Sequence, residues 1–284
     1  MSKVRLSLIG TSQGGREKEI FRLLESLVSA RDYVELVFID QTSDDALNSV
    51  FEGFIGLVNF NLIKAVPCSL SVARNLGMDH AKGEIIGFCD DDAFYSAASL
   101  EYICSLTLCG ALVSVPVIDR SSGANYAGRK FPAAKCIMTY PQVIRYSLSV
   151  GTFIFKLAEQ SFSERFDERL GVGTLLGGSE ETELFFRLKS EGFNTFFDSA
   201  AFVYHDDDVV SLEHNDFSVK YQRYAIGYAV VIKKYLVASK GTLGIEVINV
   251  LVRSIVGLLI PSKRNVCWGR LKGFVSGLLM HRLT

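Results

Sequence analysis

Lys82-Gly-Glu-Ile-Ile-Gly-Phe-Cys-Asp-Asp-Asp92 joins a short apolar run to three consecutive carboxylates. Glu84–Phe88 is mostly apolar and lies between Gly83 and the acidic triplet, the pattern of a strand buried on both faces. Upstream, Ser69–Ala81 reads as a helix with Gly83 as its stop, and Asn61–Val66 as a strand. Val34–Ile39 is another strand, closed by the turn and cap formers Asp40-Gln-Thr-Ser-Asp-Asp45. Val4–Ile9 is the first strand, and Ile20, Leu23, Leu24, Leu27 and Val28 then recur at helical spacing. Downstream, Ser99–Leu108 reads as a helix and Ala111–Val117 as a strand. Strand–helix alternation predicts an α/β fold, a parallel sheet with helices on both faces. Ligands of such sheets bind outside the carboxyl ends of the strands. Asp40 and Asp90–Asp92 stand at two of those ends.

Beyond this core the pattern loosens. Arg120–Tyr140 is loop-like and Ser149–Lys156 strand-like. Phe166–Gly173 is a glycine-punctuated loop. After Gly177-Gly-Ser179, Glu180–Glu191 reads as a helix with Ser179 as its cap. Phe193–Phe197 and Ala201–Tyr204 are short strands, and His205-Asp-Asp-Asp208 follows. The 284 residues are 49% hydrophobic and 21% charged, which excludes a disordered chain, a collagen and a coiled coil. The net charge of −1 argues against a nucleic-acid partner. That near-neutral total hides an asymmetry. Residues 218–284 carry eleven Lys/Arg and one acid, Glu246, for a charge of +10, and residues 1–217 carry −11. A basic segment rich in Ile, Leu, Val and Tyr reads either as a region that lies on an anionic membrane surface or as a solvated basic helical face. Gly244–Ile260 is the most apolar stretch, but Glu246 and Arg253 count against a membrane-spanning helix. No signal peptide is evident, and six Cys without metal-ligand spacing read as free thiols in a reducing cytoplasm.

Several constellations carry chemistry. Adjacent carboxylates repel unless a positive charge neutralises them, so Asp90 and Asp92 suit a divalent cation that also holds a diphosphate; an acidic turn capping the next helix is the alternative. In Glu180-Glu181-Thr-Glu183, the two leading side chains diverge by about 100° on a helix, so at most one points into a site. Acids favoured by the helix dipole are the plainer account. Arg74, on the helix before the triplet strand, suits phosphate, the carboxylates or a structural ion pair. His205 suits a metal ligand, an acid–base group or a structural role. There is no phosphate-loop lysine and no G-x-G-x-x-G after a strand, so P-loop and dinucleotide-binding readings lose support.

Taken in order, five stretches resemble glycosyltransferase family 2 enzymes of the GT-A fold: Val37–Asp45, Leu70–Gly77, Lys82–Asp92, Gly178–Leu184 and Val203–His205. The resemblance covers about residues 3–208. The Asp40-Gln41 pair and the Glu180-Glu181 pair are similar to the branch that builds bacterial surface polysaccharides. The resemblance implies a mixed, mostly parallel sheet flanked by helices, with a C-terminal amphipathic helical extension. It implies a catalytic domain over 1–217, nucleotide-binding to about 117 and acceptor-binding from about 118, followed by a membrane-association region over 218–284. Thr11, Asp40, Arg74, Asp90 and Asp91 would contact the nucleotide. Asp92, with Asp90 and His205, would hold Mn²⁺ or Mg²⁺. Glu181 would be the catalytic base, with Glu180 beside it on the acceptor side.

The implied activity is inverting transfer of a hexose-type sugar from a nucleotide-diphosphate donor, a UDP-sugar first, to a lipid-linked or growing surface polysaccharide. The enzyme would sit in the cytoplasm, peripheral on the inner face of the membrane. Acceptor choice would rest on Arg120–Tyr140 and Ser161–Gly178. Two other classes remain: a catalytically degenerate scaffold or sugar-binding module, and a sugar-phosphate nucleotidyltransferase, for which Gly14-Gly-Arg16 is a faint version of the required loop.

Overall fold

The computed structural model describes residues 3–157, 165–206 and 214–280. Asp207 and Asp208, residues 161–164 of the candidate acceptor loop and residues 281–284 lie outside the described residues. The chain divides into two compact units, one of residues 1–165 and 191–207, the other of 166–190 and 208–284.

In the first unit, β1 (Leu6–Ser12), α1 (Glu17–Leu27), β2 (Val34–Asp40), α2 (Ala46–Glu52), β3 (Phe60–Lys64), α3 (Leu70–His80) and β4 (Ile85–Cys89) alternate, with α2 added to the expected order. Then come β5 (Ala93–Tyr95), α4 (Ala97–Ser105), β6 (Ala111–Ser114), β7 (Val117–Ile118), β8 (Cys136–Ile137), α5 (Tyr140–Tyr146) and β9 (Thr152–Phe155). The second unit opens with α6 (Glu180–Ser190), and the first is completed by β10 (Asn194–Phe197) and β11 (Val203–His205). Helices α7 (His214–Tyr235), α8 (Gly244–Leu258) and α9 (Arg264–Leu279) finish the second unit.

Eight strands form one sheet in the order β3-β2-β1-β4-β9-β6-β10-β8. The pairs among β1, β2, β3 and β4 are parallel; β9 runs antiparallel to β4 and β6, and β8 antiparallel to β10. The sheet is therefore mixed and mostly parallel, as the resemblance implied. All of β2 and β4 is buried, as runs covered on both faces require. Ile20, Leu23, Leu24 and Leu27 of α1 face this core with β1 and β2. Helix α3 lies close on the sheet because Gly77 leaves room for the side chain of Ile9, and this approach carries Arg74 to the end of β4.

The single strand expected over Ala111–Val117 is two. Pro116 has no N–H for a ladder, and the chain changes sheets there. Strand β7 joins a second sheet, ordered β5-β11-β7, in which β11 pairs antiparallel with β5. Helices α2 and α5 were not expected from the sequence.

Candidate functional site

The parallel strands β1, β2 and β4 deliver Ser12, Asp40 and the acidic triplet to the same edge of the sheet, since Ser12 pairs with Asp40 and Gly10 with Cys89. The small sheet adds His205, which lies opposite Ala93 in the β5–β11 register and so stands beside Asp92. Its Nε2 is 3.1 Å from Asp92 Oδ1 and 3.5 Å from Asp90 Oδ2. On the other side of the ring Nδ1 bonds the Asp206 carbonyl at 2.8 Å, and Tyr126 packs with its centroid 4.6 Å away. Burial disfavours the imidazolium, but the two carboxylates and that carbonyl outweigh it and raise the pKa to about 9. At neutral pH His205 is a cation between two acids.

The three aspartates differ. Asp90 is half-buried and bonded at 3.1 Å by Arg74, a fully buried guanidinium that also donates to Ser149 Oγ at 3.3 Å. Burial would raise the Asp90 carboxyl, but His205 and Arg74 hold it below the usual range. Asp91 turns away to accept from Ser12 Oγ at 2.6 Å, and burial pushes it up to about 6. Asp92 is buried; burial raises its pKa against the pull of His205, and Arg16 stands 3.7 Å from Oδ2. Arg22 donates to the Asp92 carbonyl at 3.0 Å and to Asp206 at 2.6 Å.

Asp40 is wholly buried. Thr42 N and Oγ1 donate to Oδ1 at 2.8 and 2.7 Å, and Lys64 Nζ to Oδ2 at 3.0 Å. Burial raises its pKa, but these donors win and lower it. Thr11, on β1 opposite Ile39, is half-buried. Sequence reasoning singled out Asp90, Asp91, Asp92, Arg74 and His205, and the structure brings all five together. It missed Ser12, Arg22 and Tyr126. Arg16 was visible only as the end of Gly14-Gly15, two residues with positive φ that turn the chain off β1.

In the second unit Glu180 is buried at the start of α6 and Glu181 is half-buried, consistent with their angular separation. Tyr224 lies near both, and burial together with their charge raises its pKa. Glu183 is held by Lys234 Nζ at 2.6 Å and Tyr235 Oη at 2.9 Å, so it fastens α6 to α7. Ser179 stands just before the helix and its carbonyl accepts from Glu183 N at 2.9 Å. Its φ of +68° is not the extended conformation of an ordinary cap, and such strain in a non-glycine residue gathers at functional positions.

The described residues contain no preset group of three or more metal-ligating side chains. The donor set at Asp90, Asp92 and His205 nevertheless fits a divalent ion: two carboxylate groups and one imidazole suit Mn²⁺, and Mg²⁺ commonly uses only one or two carboxylates of the protein. Nε2 must lose its proton to face a metal.

No curated protein matches the chain. S. aureus TarS 1-349 superposes with a TM-score of 0.59 at 16% identity, over 96% of this chain and 91% of that one. The same fragment in complex with UDP-GlcNAc gives 0.56 at 14% identity with the same coverages. The mannosyltransferase PcManGT from Pyrobaculum calidifontis, in complex with GDP-Man and Mn²⁺, gives 0.61 at 13% identity, over 98% and 88%. This chain spans 43% of the longer TarS chain. These likenesses show the GT-A-like fold, a mixed sheet flanked by helices with further helices at the C-terminus. The sequence model described as "Glycosyl transferase family 2" matches residues 15–164. That is more than half of the 284 residues, so this chain belongs to glycosyl transferase family 2.

Proposed function

We propose that this enzyme transfers a hexose-type sugar, with inversion, from a nucleotide-diphosphate donor to a lipid-linked or growing bacterial surface polysaccharide. A UDP-sugar is the first donor to test. The observation that carries this reading is the meeting of Asp90, Asp92 and His205 at the carboxyl end of β4, held from behind by Arg74. A bound Mn²⁺ or Mg²⁺ would neutralise the charge that builds on the departing diphosphate. Asp92 with His205 would hold that ion, with Asp90 completing the set. Arg74 is a positioning residue, since its buried guanidinium fixes Asp90. Thr11 and Asp40 would bound the nucleotide, Asp40 through the Thr42–Lys64 network it organises. Asp91, turned onto Ser12, would shape the loop. Glu181 would take the acceptor hydroxyl's proton as that oxygen attacks the sugar carbon, and Glu180 would support it. The basic region 218–284 would keep the enzyme on the cytoplasmic face of an anionic membrane, where a lipid-linked acceptor is presented.

Thermal stability against UDP, GDP, dTDP and CMP, with and without Mn²⁺, tests the donor side. Saturation at about 100 times Kd adds about 2.7 kcal/mol. UDP is expected to raise Tm only with metal, and Asp92→Asn to abolish that shift. Turnover of UDP-sugars then tests the transfer, with Glu181→Gln expected to keep the Tm shift and lose turnover. If no nucleotide shifts the folded wild type, the reading fails. Binding without turnover of any nucleotide sugar would instead mark a non-catalytic member of the family.

A further inference from the structure

Helix α8 turns its apolar side to water. Ile245, Ile248, Val252, Ile255 and Val256, with Leu259 just past its end, are 52–79% exposed. Glu246, Ser254 and Gly257 are buried. At about 100° per residue the exposed set fills an arc of about 100° and the buried set lies opposite. A helix packed on a soluble core shows the reverse. The orientation follows from the hairpin with α9: Gly257 meets Cys267, and any side chain there would collide with its sulfur. A contiguous apolar stripe of this kind marks an interaction face.

Charge selects the occupant. Arg253, Lys263 and Arg264 are exposed beside the stripe and along the α8–α9 turn, and Trp268, one turn into α9, is 58% exposed. The single acid of residues 218–284 is Glu246, and it is buried. A second copy would set this cationic surface against its own likeness. An anionic lipid surface would neutralise it and accept the apolar stripe as well. No helix among the described residues is long and apolar enough to cross a membrane.

We propose that α8 lies in the plane of an anionic bilayer, with Ile245–Leu259 entering the acyl boundary and the neighbouring Lys and Arg side chains among the headgroup phosphates. This deepens the membrane reading given above and rests on it. Flotation of the full chain with phosphatidylglycerol/phosphatidylcholine vesicles tests it, beside vesicles of phosphatidylcholine alone. Wild type is expected to float with the anionic vesicles, and Ile248→Ser/Val252→Ser/Ile255→Ser to bind at least tenfold more weakly with an unchanged Tm and nucleotide response. Arg253→Glu/Lys263→Glu should weaken binding to anionic vesicles and leave binding to phosphatidylcholine unaltered. Equal flotation of wild type and the serine variant would overturn the assignment to α8 and leave the membrane reading standing. No flotation of wild type would overturn both. A wild-type dimer by light scattering that the serine variant converts to monomer would assign the stripe to a second copy and overturn the proposal.

Discussion

Asp198, just past β10, accepts from Tyr102 Oη at 2.9 Å and the Ala200 amide at 3.1 Å, and pairs with Lys135 at 3.0 Å. Burial raises its pKa, yet these donors lower it below the ordinary value. A carboxylate whose folded pKa is depressed stabilises the fold above its unfolded pKa, about 3.9, and loses that contribution as pH falls through the folded value. Asp198→Asn should therefore cost about 1–3 kcal/mol at pH 7, and urea titrations of the two proteins should converge as pH falls below about 4. Arg74→Met should cost about 1–3 kcal/mol by the same measurement, because Asp90 and Ser149 Oγ then lose their donor while His205 still faces Asp90, and Arg74→Lys should recover part of it. The residues that carry their own chemistry were legible in the sequence. A run of three acids at a strand end is conspicuous without coordinates, and so is a histidine after a short strand. Ser12, Arg22 and Tyr126 were not legible, because a serine, an arginine or a tyrosine gains its role here only through register and chain crossing. The differing tasks of the three aspartates were equally hidden, since adjacent identical residues diverge only once the backbone turn is known.

At the scale of elements, Gly227 of α7 packs tightly against the loop before α6. A side-chain carbon at 227 would need the space held by the carbonyl oxygens of Leu176 and Gly178. Gly227→Ala should therefore lower stability by about 1–3 kcal/mol, although alanine favours a helix interior by about 1 kcal/mol. Gly244→Ala is the control: nothing lies within 4 Å of its added carbon, so scanning calorimetry should show an unchanged or slightly higher Tm. Strand and helix order through β4 was readable, α2 excepted, because apolar period and cap residues agree there. Helix α5 announced itself by Thr139-Tyr-Pro-Gln142, a capping box in which Gln142 accepts from the Thr139 amide at 2.8 Å, but its surroundings read as loop. The split at Pro116 was likewise written in the sequence. The facing of α8 was not, for a stripe at helical spacing reads alike whether it turns toward a core or toward solvent.

The whole chain passes between its two units three times, after residues 165, 190 and 207. Neither unit is one continuous segment, and the association of Phe166–Ser190 with the last three helices depends on tertiary partners such as Lys234 and Tyr235 that no local pattern announces. Truncation after residue 217 should consequently do more than remove a membrane contact. It leaves Glu183, 1% exposed in the intact protein, without those two partners. Limited proteolysis of the truncated chain is expected to cut within 166–190 at protease levels that spare the full chain. Substitutions on α8 avoid that damage. Trp268 carries a further consequence. It is the chain's single tryptophan and belongs to the second unit, so intrinsic emission excited at the indole band reports on that unit alone, while far-ultraviolet circular dichroism reads the helices and strands of both. Denaturation followed by the two signals gives coincident curves if the units melt as one and separate curves if they do not, without any label being attached.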